Sequence, residues 1–325
     1  MPPGPVAEPE SRFDRNFFTL SGEKDTGSRS SWFRLGDSSD SGDSSDSSKR
    51  KIKNKEIEDH DLIGDWEVIS KIGQGGLANV YKAKDIKSAV EVALKKAINV
   101  EENDDANSSA SDNSPPLQEG HRGVLNAHGL VSAVKLIGVH QDKISEEVVI
   151  AMEYVAAGSL SRQLQLQKTF SLPKAWWVMK QMASAFAYMH QKNIVHRDIK
   201  LDNVLCDDLW IVKVIDFGMA RICTPGEKLD PDRGTLGYLA PEFFNMETYE
   251  GPPADVWALG ILSTQLFVGW KFDGRDLFQG DVSNSFVYKP PPCADKQLTS
   301  LLTGMLRVNP KERLTMKVFP DRVYI

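Results

Sequence analysis

Alternating apolar and polar positions open the ordered part of this chain, and helical periodicity closes it. Order is expected to begin near Leu62. Residues 65–73, Asp-Trp-Glu-Val-Ile-Ser-Lys-Ile-Gly, alternate closely enough to predict a strand. Val80-Tyr81-Lys82-Ala83 reads as strand again, as do residues 90–98, 134–139 and 147–154. From residue 159 the period lengthens. Residues 172–192 place Trp176, Met179, Met182, Ala183, Phe186 and Met189 at three- and four-residue steps, which predicts an amphipathic helix with these side chains as its core face. Residues 254–269 predict a second, strongly apolar helix. Strands first and helices after imply an α+β fold in two lobes, not a repeating βαβ sheet.

Residues 1–60 carry a different pattern. Asp37, Asp40, Asp43 and Asp46 recur through a Ser-rich run without an apolar residue, which cannot recover its ordering entropy by burial. The basic run Lys49-Arg50-Lys51-Ile52-Lys53 follows. It reads as a linker solvated against the acidic run, with a nuclear-localisation patch as the alternative. Two apolar clusters, Phe13, Phe17, Phe18 and Leu20, then Trp32, Phe33 and Leu35, are candidate anchors for a docking partner. Residues 101–116, rich in Asp, Asn, Ser and Pro, read as a surface insertion.

At 325 residues and 41% hydrophobic content the chain can bury a substantial core, and its net charge of −6 argues against a dedicated nucleic-acid partner. No apolar run approaches the roughly 20 residues that span a bilayer. Neither a secretory leader nor a myristoylation signal is expected at the N-terminus. Three scattered cysteines, Cys206, Cys223 and Cys293, fit reduced thiols in the cytoplasm or nucleus better than a disulfide frame.

The chemistry concentrates in residues 196–218, where His-Arg-Asp-Ile-Lys-Leu-Asp-Asn is followed by a short apolar run and Asp-Phe-Gly. Asp198 can accept the proton of an attacking hydroxyl, Lys200 can reach a transferring phosphate, and Asn203 and Asp216 offer hard oxygens to magnesium. Phosphoryl transfer needs such a set because its barrier falls through positioning and charge neutralisation. Upstream, Gly73-Gln74-Gly75-Gly76 lies between two strands. Glycine lets backbone N–H groups approach phosphates, and a strand after the turn disfavours a dinucleotide fold.

These motifs resemble those of the eukaryotic protein kinase family, serine/threonine class. The spacing from Asp198 to Asn203 and from Asp198 to Asp216 matches the family, as do Val92-Ala93-Leu94-Lys95, Gly234-Thr235, Ala240-Pro241-Glu242, Asp255-Val256-Trp257 and Arg313. The resemblance implies a kinase domain over 62–325, with an antiparallel-sheet N-lobe over about 62–153 and a mainly helical C-lobe over about 158–325. It implies Mg2+ and ATP as cofactors and a protein with a Ser or Thr acceptor as substrate. It further implies an ATP site of Ile72, Gly73, Gln74, Gly75, Gly76, Val80, Ala93 and Lys95, with Met152, Glu153 and Val155 at the adenine and Glu119 aiming Lys95. Asp198, Lys200, Asn203 and Thr235 form the implied catalytic set, and Asn203 and Asp216 the metal set. His196 is expected to be a packed structural residue, and Arg197 to organise the activation segment, with Asp230 or Asp232 supplying its negative partner. Gly120 and Gly123 weaken the helix expected around Glu119, each costing about 1 kcal/mol relative to Ala. The alternatives are a non-catalytic scaffold on the same fold and a small-molecule phosphotransferase. The intact Lys95, Asp198, Asn203 and Asp216 disfavour the first, and the Ala-Pro-Glu and Asp-Val-Trp motifs the second.

Overall fold

The computed structural model describes residues 57–74, 78–97, 132–141, 147–245, 248–269, 271–272, 288, 291 and 294–316. The expectations for the tail over 1–56, for Gly75, Gly76 and Glu119, for the 101–116 insertion and for Cys293 lie outside the described residues.

Six strands form one antiparallel sheet: β1 (Leu62–Ile63), β2 (Trp66–Gln74), β3 (Ala78–Asp85), β4 (Glu91–Ala97), β5 (Leu136–Gln141) and β6 (Val148–Glu153), in the order β1-β2-β3-β4-β6-β5. Successive side chains of a strand point to opposite faces. That rule divides this sheet into two surfaces. Tyr81, Ala83, Val92, Leu94, Val149 and Ala151 bury together with Trp66 and Val68 on one face. Val80 opposite Lys95, and Ala93 opposite Met152, belong to the other. The sheet also curls. Trp66 and residue 138 lie near opposite ends of the strand order, yet a Cβ added to Gly138 would sit 3.2 Å from the Trp66 indole. Glycine permits that approach.

The second lobe is mainly helical. It comprises α1 (Leu160–Gln167), α2 (Leu172–Gln191), α3 (Glu242–Asn245), α4 (Gly251–Val268) and α5 (Lys296–Met305). Short strands lie between them: β7 (Ile194–Val195), β8 (Val204–Cys206), β9 (Val212–Val214), β10 (Arg221–Ile222), β11 (Lys228–Leu229) and β12 (Tyr249–Glu250). Every residue of α4 from Asp255 to Phe267 is buried, as a helix apolar on all sides must be. Around it pack the expected core residues of α2 and the apolar face of α5, Leu298, Leu301, Leu302 and Met305. Gly260 lets α4 meet the end of α5 closely: a Cβ there would lie 2.9 Å from Leu306. No helix among the described residues is long and apolar enough to cross a membrane.

The sequence reading had no helix at 296–305. Its signals are the Asp295 carboxylate accepting from Leu298 N at 2.8 Å and an apolar stripe at three- and four-residue steps.

One ion pair pins this lobe internally. Arg313 and Glu242 are both buried and meet through two parallel bonds of 2.6 and 2.8 Å. The remaining guanidinium donors reach the carbonyls of Arg307, Pro253 and Val308 at 2.9, 2.7 and 3.2 Å. The guanidinium carbon also lies 5.2 Å from the centre of the Trp257 ring. A paired buried charge adds little net stability over an apolar replacement, but removing one partner strands the other. Arg313→Met is therefore expected to cost about 3–5 kcal/mol. Replacing Glu242 by Gln in the same chain should recover part of that loss, as measured by urea unfolding.

Candidate active site

The catalytic loop is held from below by a single carboxylate. Asp255 Oδ2 accepts from His196 N at 2.9 Å and lies 3.0 Å from His190 Nε2, and Oδ1 accepts from Arg197 N at 3.0 Å. Arg197 adopts φ 69°, a left-handed conformation that a non-glycine residue keeps only where its surroundings impose it. His196 is fully buried. Its Nε2 faces the Ile215 carbonyl at 3.0 Å, which requires that nitrogen to be the donor. Its Nδ1 then accepts from Asp198 N at 3.3 Å. With Phe217 and Phe186 against its ring, His196 is the structural residue expected from sequence.

Three side chains converge on the buried Asp198 carboxylate. Thr235 Oγ1 donates to Oδ1 at 2.6 Å. Asn203 Nδ2 donates to Oδ2 at 2.8 Å and to the Asp198 carbonyl at 2.8 Å. Lys200 Nζ lies 2.8 Å from Oδ2 and also donates to Thr235 Oγ1 at 2.8 Å. Thr235 thus joins Asp198 and Lys200, although it lies 37 positions from Asp198. Hydrogen bonds of this kind fix the orientation of the carboxylate.

Lys95 and Lys96 separate by parity. Lys95 faces the cleft and its Nζ meets Asp216 Oδ1 at 2.6 Å. Lys96 is on the opposite face and meets Glu147 at 2.9 Å. Burial pushes the Asp216 carboxyl up. The Lys95 ammonium and the Gly218 N–H more than offset it, so the group lies below its ordinary value. Its contribution to stability is therefore present above the ordinary carboxylate range and lost as pH falls through the depressed folded value.

The oxygens for a divalent ion fit this arrangement. Asn203 spends its amide nitrogen on Asp198, and Asp216 spends Oδ1 on Lys95 and Gly218 N. Among the described residues, Oδ1 of Asn203 and Oδ2 of Asp216 have no protein partner. No cluster of three His, Cys, Asp or Glu suited to a metal occurs there either. Mg2+ is typically held by one or two protein oxygens together with substrate phosphates, so this donor set suits it.

Ala93 is buried and Met152 half-buried at paired positions of β4 and β6, directly before Glu153 and Val155. Gly73 and Gln74 pair with Val80 and Asn79 where β2 ends and β3 begins, and Ile72 is exposed beside them. Ser159 caps α1 by accepting from Arg162 N at 3.2 Å. Asp202 remains exposed. The Cys206 thiol is pushed up to about 11 by burial and the neighbouring Asp207 and Asp208, and burial and Glu227 also raise Cys223. Neither is a thiolate nucleophile at neutral pH.

Arg197 reaches the activation segment. Its Nη2 bonds Asp232 and its Nε donates to the Tyr249 hydroxyl at 3.2 Å. Of the two acids expected to serve it, Asp232 is the one in contact. Thr224, the hydroxyl of that segment, is engaged locally, with Oγ1 and N both on Glu227 Oε2. Beside Asp198 lies a pocket walled in part by Thr235, Tyr238, Leu239, Ala240 and Phe243.

A curled sheet with an inward-aimed lysine, set over a helical lobe with a hydrogen-bonded Asp-Lys-Asn-Thr cluster, defines a phosphotransferase architecture. Residues 66–325 match the family model described as protein kinase domain, and the chain belongs to that family. Among similar proteins, "NUAK family SNF1-like kinase 2" of Homo sapiens and of Pongo abelii are each 29% identical over 273 residues. Those alignments cover 83% of this chain and 41% of theirs. "Probable serine/threonine-protein kinase MARK-C" of Dictyostelium discoideum is 29% identical over 263 residues, covering 78% of this chain and 32% of its own. The chain thus spans well under half the length of these relatives.

Asp232→Asn is expected to lower peptide phosphorylation about fivefold, on the scale of a charge-assisted hydrogen bond partly screened by solvent. Asp230→Asn should leave it within about twofold. Initial rates at saturating ATP distinguish the two variants.

Proposed function

We propose that this chain is a serine/threonine protein kinase that moves the γ-phosphoryl group of ATP, with Mg2+, to a hydroxyl on a protein. The observation that carries the reading is the Asp198 carboxylate, fixed at both oxygens by Thr235, Asn203 and Lys200. Lys200 two positions after Asp198, together with Thr235, favours Ser and Thr acceptors. The names of the similar proteins agree with that class.

In this reading Asp198 orients the acceptor hydroxyl and takes its proton as the new bond forms. Lys200 neutralises charge on the transferring group, and Thr235 holds it and Asp198 in register. Lys95, whose Nζ meets Asp216 Oδ1, holds the α- and β-phosphates, and Glu119 would aim it. Asn203 and Asp216 would hold the metal, which would supply positive charge to neutralise the phosphates. Backbone groups of Glu153 and Val155 would receive adenine, between Ala93 and Met152, under the turn of Ile72, Gly73, Gln74, Gly75, Gly76 and Val80. The domain would run over 62–325, after a tail of 1–60. Two buried free thiols, Cys206 and Cys223, support a reducing compartment, cytoplasm or nucleus.

Incubation with labelled ATP, Mg2+ and a peptide library should place label on Ser and Thr. Lys95→Ala and Asp198→Asn should each reduce transfer more than about a hundredfold while far-UV circular dichroism stays unchanged. Label confined to Tyr or to small molecules, or no transfer by folded wild-type protein, would defeat the proposal.

A further inference from the structure

The β8–β9 hairpin is bracketed by the two metal-directed oxygens. Asn203 immediately precedes β8, and Asp216 follows β9 after Ile215. The ends are closed on each other by Ile215 N donating to the Asn203 carbonyl at 2.9 Å. Movement of the hairpin therefore moves both residues together.

The same hairpin is bound to the polypeptide that joins the lobes. Cys206 N donates to the Gly158 carbonyl at 3.0 Å, and Ser159 bridges to Leu205. On the other strand, Val214 N donates to the Ser132 carbonyl at 2.6 Å and Val134 N to the Val214 carbonyl at 3.0 Å. These bonds attach to β9 the segment that leads into β5. Between them stands Lys213. Val212 and Val214 are buried in the helical core, so Lys213 projects from the opposite face of β9. Its Nζ lies 3.0 Å from Oε1 of Glu153, the last residue of β6. That oxygen also accepts from Lys135 N at 2.8 Å, and Glu153 N donates to the Lys135 carbonyl at 2.9 Å. One carboxylate thus joins the end of β6, the entry to β5 and the hairpin.

We infer that Glu153 and Lys213 are positioning residues of the nucleotide site, whose ion pair fixes the hairpin carrying Asn203 and Asp216 against the connector. The inference rests on the kinase reading, in which the backbone of 153–155 receives adenine and Asn203 and Asp216 hold the metal. The pair sets the distance between those two ends of one ligand. Its side chains are 21% and 29% exposed, and ion pairs that water reaches contribute little to stability. Its effect lies in orienting the residues that contact the ligand, a role for which small displacements matter.

Three variants of the full chain test this. Glu153→Gln keeps the bond to Lys135 N and removes the charge, Lys213→Gln removes the cation, and Lys213→Arg retains it. The readouts are amide exchange in the nucleotide-free protein and calorimetric binding of ADP with and without Mg2+. In both Gln variants the Val134 and Val214 amides should exchange about fivefold faster, since they are the local bonds the pair braces. Mg2+-dependent ADP affinity should fall about fivefold, with ADP alone changing less than twofold. Lys213→Arg should behave as wild type. A merely structural pair would weaken both forms of binding alike. Unchanged exchange and unchanged Mg2+-dependent affinity would overturn the inference, as would tighter binding or faster transfer in the Gln variants, which would make the pair a restraint. Wild-type protein that binds no ADP would instead sink the kinase reading, and exchange at Val134 and Val214 would still decide whether the pair braces the hairpin.

Discussion

The Asp255 carboxylate is the constraint on which the catalytic lobe is built. It sits in the first turns of a helix that is otherwise apolar on every side, where a charge is tolerated only if it is fully engaged. Its oxygens meet two successive backbone amides and a histidine ring. That engagement does two things at once. It satisfies N–H groups that a buried loop would leave without partners, and it holds Arg197 at a backbone angle the chain would not keep alone. With Arg197 turned that way, the guanidinium faces the activation segment and the next residue, Asp198, faces the cleft. Arg197 and Asp198 are adjacent in sequence and point in different directions because one carboxylate fixes the backbone that carries them.

Much of the fold was legible because it obeys short periods. The β2, β4, β5 and β6 strands and the α2 and α4 helices fall within a few residues of where alternation and helical spacing put them. Parity also decides between Lys95 and Lys96, since neighbouring positions on a strand cannot share a face. What was not legible depends on contacts distant in sequence. That Asp216 is the partner of Lys95 requires two lobes to meet across 121 positions. The choice of Asp232 over Asp230 depends on the path of the activation segment, which has almost no regular structure to betray it.

The site is also a balanced set of charges. Asp198 is matched by Lys200, Asp216 by Lys95 and Asp232 by Arg197. Each of these three acids therefore has a cation within ion-pair distance. Preorganisation of this kind limits the rearrangement needed when phosphates enter.

The contact between Arg197 and Asp232 has one further consequence. A phosphate in that position can be removed by hydrolysis, whereas an aspartate is written into the gene. The segment it holds cannot be reset by a phosphatase acting there.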